Sequence, residues 1–486
     1  FLRYQHLEEP SGRNLICEEQ LHIVRRMLRY RGASDAEQTA ARYGWRLSDA
    51  DAVLDKLCQR GEVMKQDDLY YHAKLYQRAR IQTVKNRREE IQTCPAEAYA
   101  ALMLSHMESG APSDECLRRL LKRYAGMTLP ASYWEGILLP RWVNNYRGDK
   151  LDAYLAEGEL FWHMEGKGGL CFDFQEDIDW DADLDNQENA ITENNLSEKE
   201  ALLYRTLRKR GASFMHSLNG VTGSEPPYDT LMSLLEKGMV CADSFVPVRQ
   251  WLEQEKTRKV AAKQRVAMRV KALRAGRWDV VRPRKGQSGE QLIASRLEKG
   301  FDRCLILCRE TAAACGISWQ DALSVLRIWE YTGQARRGYF VEGLSGAQFI
   351  RGKDYASVTK ILAQQQSRKK LVWVNAADPA QCWGKVLSHK DGRSFMNIPG
   401  NAVACYGGMP VAVVERQGNI LRLLGEELLA EKLLEECLQT FAQEYKKGRI
   451  YPGLKRIVVK IYPDFAGQAL TRAGFFREMQ DYVLYR

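Results

Sequence analysis

Three times along this chain an amphipathic helix ends at a glycine and an apolar strand starts at once: Gly61-Glu62-Val63, Gly158-Glu159-Leu160 and Gly238-Met239-Val240. A glycine in that place takes the left-handed conformation that closes a helix, and the strand after it needs a partner for its backbone. The first occurrence shows the whole pattern. Leu21, Ile23, Val24, Met27 and Leu28 give 18–31 an apolar face at helical spacing, and Ser34-Asp35-Ala36-Glu37 offers a helix start. Val53, Leu54 and Leu57 then face inward from a helix over 48–60, before 61–65 and 69–71 alternate as a hairpin. Three helices and a two-stranded wing account for this most simply. The irregular spacing of the recurrences predicts a tandem array rather than a strict solenoid.

At 486 residues the chain is too long for one hydrophobic core, so several domains are expected. The pattern predicts winged-helix units at 1–77, 95–174, 196–252 and 288–352. A basic helical connector (78–94), an acidic linker (175–195) and a second basic connector (253–287) separate them. After 353 strands take over, at 371–375, 402–406, 410–416 and 420–424, with tight glycine turns between them. A helix over 426–446 and a strand over 456–461 follow, and 353–486 is predicted to be a β-barrel module with a terminal α/β element. The fold class is α+β.

The fourth unit contains Ala335-Arg336-Arg337-Gly338-Tyr339-Phe340-Val341-Glu342-Gly343-Leu344-Ser345-Gly346-Ala347-Gln348-Phe349, two short segments about a glycine-bearing turn. A strongly helical stretch, 319–330, comes just before it. Helix, short loop and basic hairpin is an order that sets a helix on nucleic acid and a hairpin against phosphates. An ordinary hairpin packed on a helix accounts for the same pattern. Net charge is +10, and 256–285 holds twelve basic residues with Asp279 its only acid. Such a one-sided tract gains most by meeting phosphates. These features nominate Arg336, Arg337, Lys263, Arg265, Arg269 and Arg277 as phosphate contacts, and Tyr339, Phe340 and Trp278 as stacking residues.

Most catalytic and metal motifs are absent. There is no G-x-x-x-x-G-K-[ST], so the chain has no P-loop of its own, and no H-E-x-x-H among its seven histidines. Asp177 to Asp185 has the alternating acids of a calcium loop without its central glycine and closing glutamate, and reads as a solvated linker. Cys304, Cys308 and Cys315 flank Leu305-Ile306-Leu307, which reads as buried cysteine rather than a metal site. A base-excising enzyme needs one acid or amide beside a pocket, and Gln348 and Asp481 are the available candidates. Twelve cysteines without regular spacing favour a reducing cytoplasm, and no run of roughly eighteen apolar residues predicts a membrane span. The start, Phe1-Leu2-Arg3-Tyr4, has neither initiator methionine nor signal peptide and reads as a cut through a longer chain.

Arg336 to Phe349 closely resembles a segment of the large helicase-related (Lhr) family of bacterial superfamily 2 DNA helicases, departing from it at Ser345, where the family has glycine. Leu129-Pro130-Ala131-Ser132, Leu155 to Trp162, Glu236 to Arg249 and Gly276-Arg277-Trp278 resemble further family blocks, in family order. The resemblance covers about 100–350 well and the ends more weakly. It implies the C-terminal region that follows the helicase motor: tandem winged helices and then a β-barrel module, an architecture similar to AlkZ-type DNA glycosylases. It also implies a DNA-repair setting, single-stranded or forked DNA as partner, and assembly into a homo-oligomer. ATP and Mg would belong to the absent motor domains, with no cofactor or metal in this chain. Three functions follow as expectations: a DNA-gripping module, a glycosylase acting on uracil or a damaged base, and an oligomerisation scaffold.

Overall fold

The computed structural model describes residues 17–89, 93–166, 168–181, 195–223, 227–257, 276–286, 289–365 and 369–486. They fall into two compact units, Phe1–Gln92 and Thr93–Arg486. No helix among the described residues is long and apolar enough to cross a membrane.

The first unit is a winged helix. Helices α1 (Glu18–Arg31), α2 (Ala36–Tyr43) and α3 (Leu47–Gln59) precede a hairpin of β1 (Val63–Gln66) and β2 (Leu69–His72). Asp67 and Asp68, at φ 51° and 63°, form a two-residue turn whose twist matches the strands. A bridge between Ser34 and Tyr70 supplies the third strand position. Leu21, Val24 and Leu28 of α1 meet Val53, Leu54 and Leu57 of α3 in the core. Helix α4 (Ala73–Glu89) leaves the wing.

The second unit begins with α5 (Ala96–Met107) and α6 (Ser113–Tyr124), then β3 (Leu129–Pro130) and a helical run α7 (131–142) whose middle, Trp134–Leu138, is π-helical. Helix α8 (Gly148–Ala156) and the hairpin β4 (Leu160–Glu165) and β5 (Gly169–Phe174) complete a winged helix with sheet order β3-β5-β4. Next come α9 (Glu198–Arg210), β6 (Ser213–Phe214), α10 (Tyr228–Glu236), β7 (Val240–Ala242), α11 (Val246–Thr257) and β8 (Arg277–Val280). Strand β8 lies between β6 and β7. The stretch expected to connect two domains, 253–287, therefore returns to the sheet it left, and Arg277 to Val280 are wing residues of the same unit. Alternation of Trp278 and Val280 inward decided this; the surrounding basic charge hid it.

The last winged helix comprises α12 (Gly289–Cys304), β9 (Ile306–Leu307), α13 (Arg309–Ala314), α14 (Trp319–Thr332), β10 (Ala335–Gly338) and β11 (Gln348–Arg351), sheet order β10-β11-β9. Leu297, Phe301, Leu307, Ala322, Val325, Leu326 and Phe349 form its core, each large side chain stabilising by about 1.5–3 kcal/mol.

Helix α15 (Tyr355–Gln365) leads to a four-stranded antiparallel meander, β12 (Leu371–Asn375), β13 (Ala402–Tyr406), β14 (Met409–Glu415) and β15 (Ile420–Leu423). Helix α16 (Glu431–Lys446) covers it, with Trp373 donating to the Cys437 carbonyl at 2.8 Å. A second sheet of β16 (Arg456–Val459), β17 (Phe476–Glu478) and β18 (Asp481–Tyr485), order β16-β18-β17, flanks α17 (Gly467–Arg472) and shares that core. The described strands form two open sheets, touching through the Ile420–Ile461 bridge, and do not close into a barrel.

Candidate nucleic-acid interface

Helix α14 occupies the position of a recognition helix in the last winged helix. Ala322, Val325 and Leu326 face inward. At the complementary spacing, Ser324, Arg327, Ile328 and Tyr331 face solvent, Ile328 being 50% and Tyr331 90% exposed. The chain then enters β10, where Arg336 and Arg337 are exposed and Tyr339, just beyond, is 57% exposed. Arg336 stands over the Tyr355 ring, 4.6 Å from its centroid. Among the described residues neither Arg327, Arg336 nor Arg337 has a carboxylate partner. Arg351, at the end of the next strand, shows the contrast: it binds Glu298 and Asp302 at 2.7 Å each and Asp354 at 2.6 Å.

The loop that follows β10 is held from within. Gln348 accepts from the Phe340 and Val341 N–H groups at 2.8 and 2.9 Å and donates to the Val341 and Leu344 carbonyls at 2.8 and 3.3 Å. Phe340 turns back into the core beside Gly338, where a Cβ would lie 2.6 Å from its ring. Only glycine permits that approach. Cys94 donates to the Phe340 carbonyl at 2.8 Å, and Glu342 returns a bond to the Cys94 carbonyl at 2.9 Å.

Several sequence nominations are corrected. Phe340 and Trp278 are buried, at 1% and 0% exposure, and have no face for a base. Gln348 is buried and spends both ends of its amide on the wing loop. Arg277 is engaged by Asp243, which accepts from its backbone at 2.7 Å and its side chain at 2.9 Å. Asp481 pairs with Glu478 across the β17–β18 turn, in a different sheet from Gln348. Lys263, Arg265 and Arg269 lie outside the described residues, as do 182–194 of the acidic run. Sequence reasoning misses Arg327, Ile328 and Tyr331. Ile328 passes for part of the apolar face, whereas the 3.6-residue period places it with Ser324 and Tyr331.

The corresponding helices elsewhere are unsuited to phosphates. Helix α3 carries Asp49, Asp51 and Asp55, and α10 carries Asp229 and Glu236. Helix α8 is bound by protein: Arg249 of α11 reaches Asp152 at 2.7 Å, Glu135 at 2.8 Å and the Gly148 carbonyl at 2.9 Å. A side chain at Gly148 would meet that guanidinium at 2.8 Å.

Among the described residues one group has metal-ligand character, His163, Cys171 and Asp173. Arg284 already occupies its centre, donating to Asp173 at 2.8 Å and to the Cys171 sulfur at 2.9 Å. Burial pushes the Cys171 thiol up to about 12, so it is a neutral neighbour rather than a thiolate ligand. Cys304 and Cys315 approach to 3.5 Å, while Cys308 turns to Glu310 at 3.1 Å, so the three do not converge.

A tandem array of winged helices is the class of protein this fold defines. Family models described as large helicase-related protein, winged-helix domain, match residues 95–172 and 287–370, as the third and fourth such domains. The chain is 24% identical to "Lhr helicase/uracil glycosylase" of Escherichia coli (strain K12) over 507 aligned positions, covering 93% of this chain and 32% of that protein. It is 26% identical to "Lhr helicase/ probable uracil glycosylase" of Mycolicibacterium smegmatis over 458 positions, 84% of this chain and 30% of that protein. These matches fit a C-terminal region of large helicase-related proteins; the chain spans about a third of the length of the curated relatives it matches.

Proposed function

We propose that this chain is the DNA-gripping module of an Lhr-type repair helicase, holding single-stranded or forked DNA on α14 and the following wing. One observation carries the reading: Arg327, Arg336 and Arg337 are exposed on α14 and β10, as are Ile328, Tyr331 and Tyr339 on and just beyond them, and none of the three arginines is neutralised by a carboxylate among the described residues. Guanidinium groups that keep their charge release counterions from the phosphates, and exposed aromatics stack on unpaired bases. ATP and Mg belong, in this reading, to motor domains of the whole protein. The two open sheets over 371–485 would form the barrel-like module, and assembly into homo-oligomers is part of the same proposal, read by light scattering at micromolar concentration.

The test is a salt titration of single-stranded and forked DNA binding. Replacing Arg327, Arg336 and Arg337 by alanine should weaken binding and flatten the log–log salt slope by about 0.7–0.9 for each phosphate no longer neutralised. Tyr331→Ala should weaken single-strand binding by about 1–3 kcal/mol with the slope kept. An unchanged slope in the triple variant sinks the reading.

The names of both relatives favour a second reading, a DNA glycosylase acting on uracil or a damaged base. Uracil-containing and alkylated single strands incubated with the chain and then heated in alkali should break. No scission above that of Asp481→Asn removes this reading for Asp481.

A further inference from the structure

The loop after α5 (Glu108, Ser109, Gly110), the end of α7 (Arg141, Trp142) with Asn144, and Arg449 line a polar cleft of about 350 Å³, the lower end of small-ligand volumes. Arg141 is 8% exposed. Its Nε donates to the Trp373 carbonyl at 2.9 Å, and its guanidinium stacks on Trp142, 4.4 Å from the ring centroid. Its carboxylate partner, Glu444 at 3.3 Å, is shared with Arg449 at 3.2 Å and Lys447 at 3.8 Å. Glu108, on the opposite wall, is taken by Lys370. Asp378, under Trp142, accepts from its indole N–H at 2.8 Å, and burial raises its pKa.

Three cations thus share Glu444. Elsewhere in this unit Arg249 has two carboxylates and Arg351 three, and both are held above the usual arginine range against their burial. For Arg141 burial wins over Glu444, and its pKa is lowered. Arg449 also donates to the Asn144 side-chain oxygen at 2.7 Å, which orients the amide NH2 as a further donor. Paired guanidinium groups match phosphate oxygens by geometry as well as charge. Two guanidinium groups lining one cleft suit a phosphomonoester, which carries about −1.5 to −2 at neutral pH and offers three oxygens.

We propose that this cleft binds a terminal phosphate group, carried by the end of a nucleic-acid strand or by a free mononucleotide. It is separate from the α14 surface, so the two readings stand or fall apart.

The full chain is titrated with single strands of one sequence ending in a 5′-phosphate, a 3′-phosphate or hydroxyls only, and separately with dAMP and inorganic phosphate while melting temperature is followed. A phosphorylated end should bind on the order of tenfold tighter than a hydroxyl end, the gain of one charge-assisted contact. Arg449→Gln, a half-buried position whose fold is checked by its own melting curve, should abolish that ratio. Arg327→Ala should lower both affinities and keep it. Competition by dAMP equal to that of the strand end would assign the site to free nucleotides, and weak competition would assign it to strand ends. The dAMP melting shift, lost in Arg449→Gln, reads the cleft even if α14 binds nothing. Equal affinity for all ends together with no melting shift overturns the proposal, as does a phosphate preference that survives Arg449→Gln.

Discussion

Gln348 shows how a residue can suit two roles until its neighbours are placed. An amide beside an aromatic turn is what base excision would ask for, and it is equally what a turn without regular hydrogen bonds asks for. Its four bonds to Phe340, Val341 and Leu344 decide for the turn. Gln348→Leu fills the same volume and orphans two donors and two acceptors, so it should lower stability in urea by about 2–4 kcal/mol. An unchanged unfolding midpoint would contradict the clasp. Cys315 was legible only as one of a run of buried cysteines. Bonding from Cys304 outweighs its burial, with Arg303 assisting, and holds it below the usual thiol range. Alkylation of Cys315 followed by mass spectrometry should therefore set in at lower pH than that of Cys171 and Cys241, which burial raises to about 12.

At the scale of elements, helices and wings were readable because their periods are local, and the covering of each helix was not, because it depends on distant chain. The β4–β5 wing illustrates this. Burial opposes a charged His163, but bonds to Asp173 and Glu165 outweigh it and raise its pKa above the ordinary 6.5. Burial likewise opposes charge on Asp173 and Glu165. His163 and Arg284 overcome it for Asp173, Thr128 and His163 for Glu165, and both carboxylates are lowered from 3.8 and 4.5. The histidine's contribution is whole below 6.5 and lost as pH rises through its raised value; the carboxylates' contribution is whole above 4.5 and lost on acidification. Stability from this network should peak between those limits. His163→Gln should remove the fall in stability expected of wild type as pH rises above 6.5 in urea titrations.

At the scale of the molecule, the repeat of helix, glycine and strand foretold the winged helices, but not their unequal surfaces. Helix α8 is spoken for by Arg249, which joins α7, α8 and α11. Arg249→Ala should leave Glu135 and Asp152 half-buried without their counter-charge and cost about 3 kcal/mol. Arg249→Lys, a point charge, should recover less than half of that. Calorimetry on both variants gives the comparison, and equal melting would refute the lock. The trailing strands were legible by alternation, yet barrel closure was not, since it depends on pairing between residues far apart in sequence.

Strand β8 has a consequence for how this chain can change over evolutionary time. Ala242 and Trp278 are paired neighbours, so the chain between the end of α11 at Thr257 and Gly276 begins and ends within one unit. Such an excursion can lengthen or shorten without moving any domain against another, and doubling it costs only about 0.6 kcal/mol in closure entropy. A linker of the same composition would have changed the reach between two bodies with every residue gained. Here cationic residues can be added or lost freely, with the geometry of the rest left as it was.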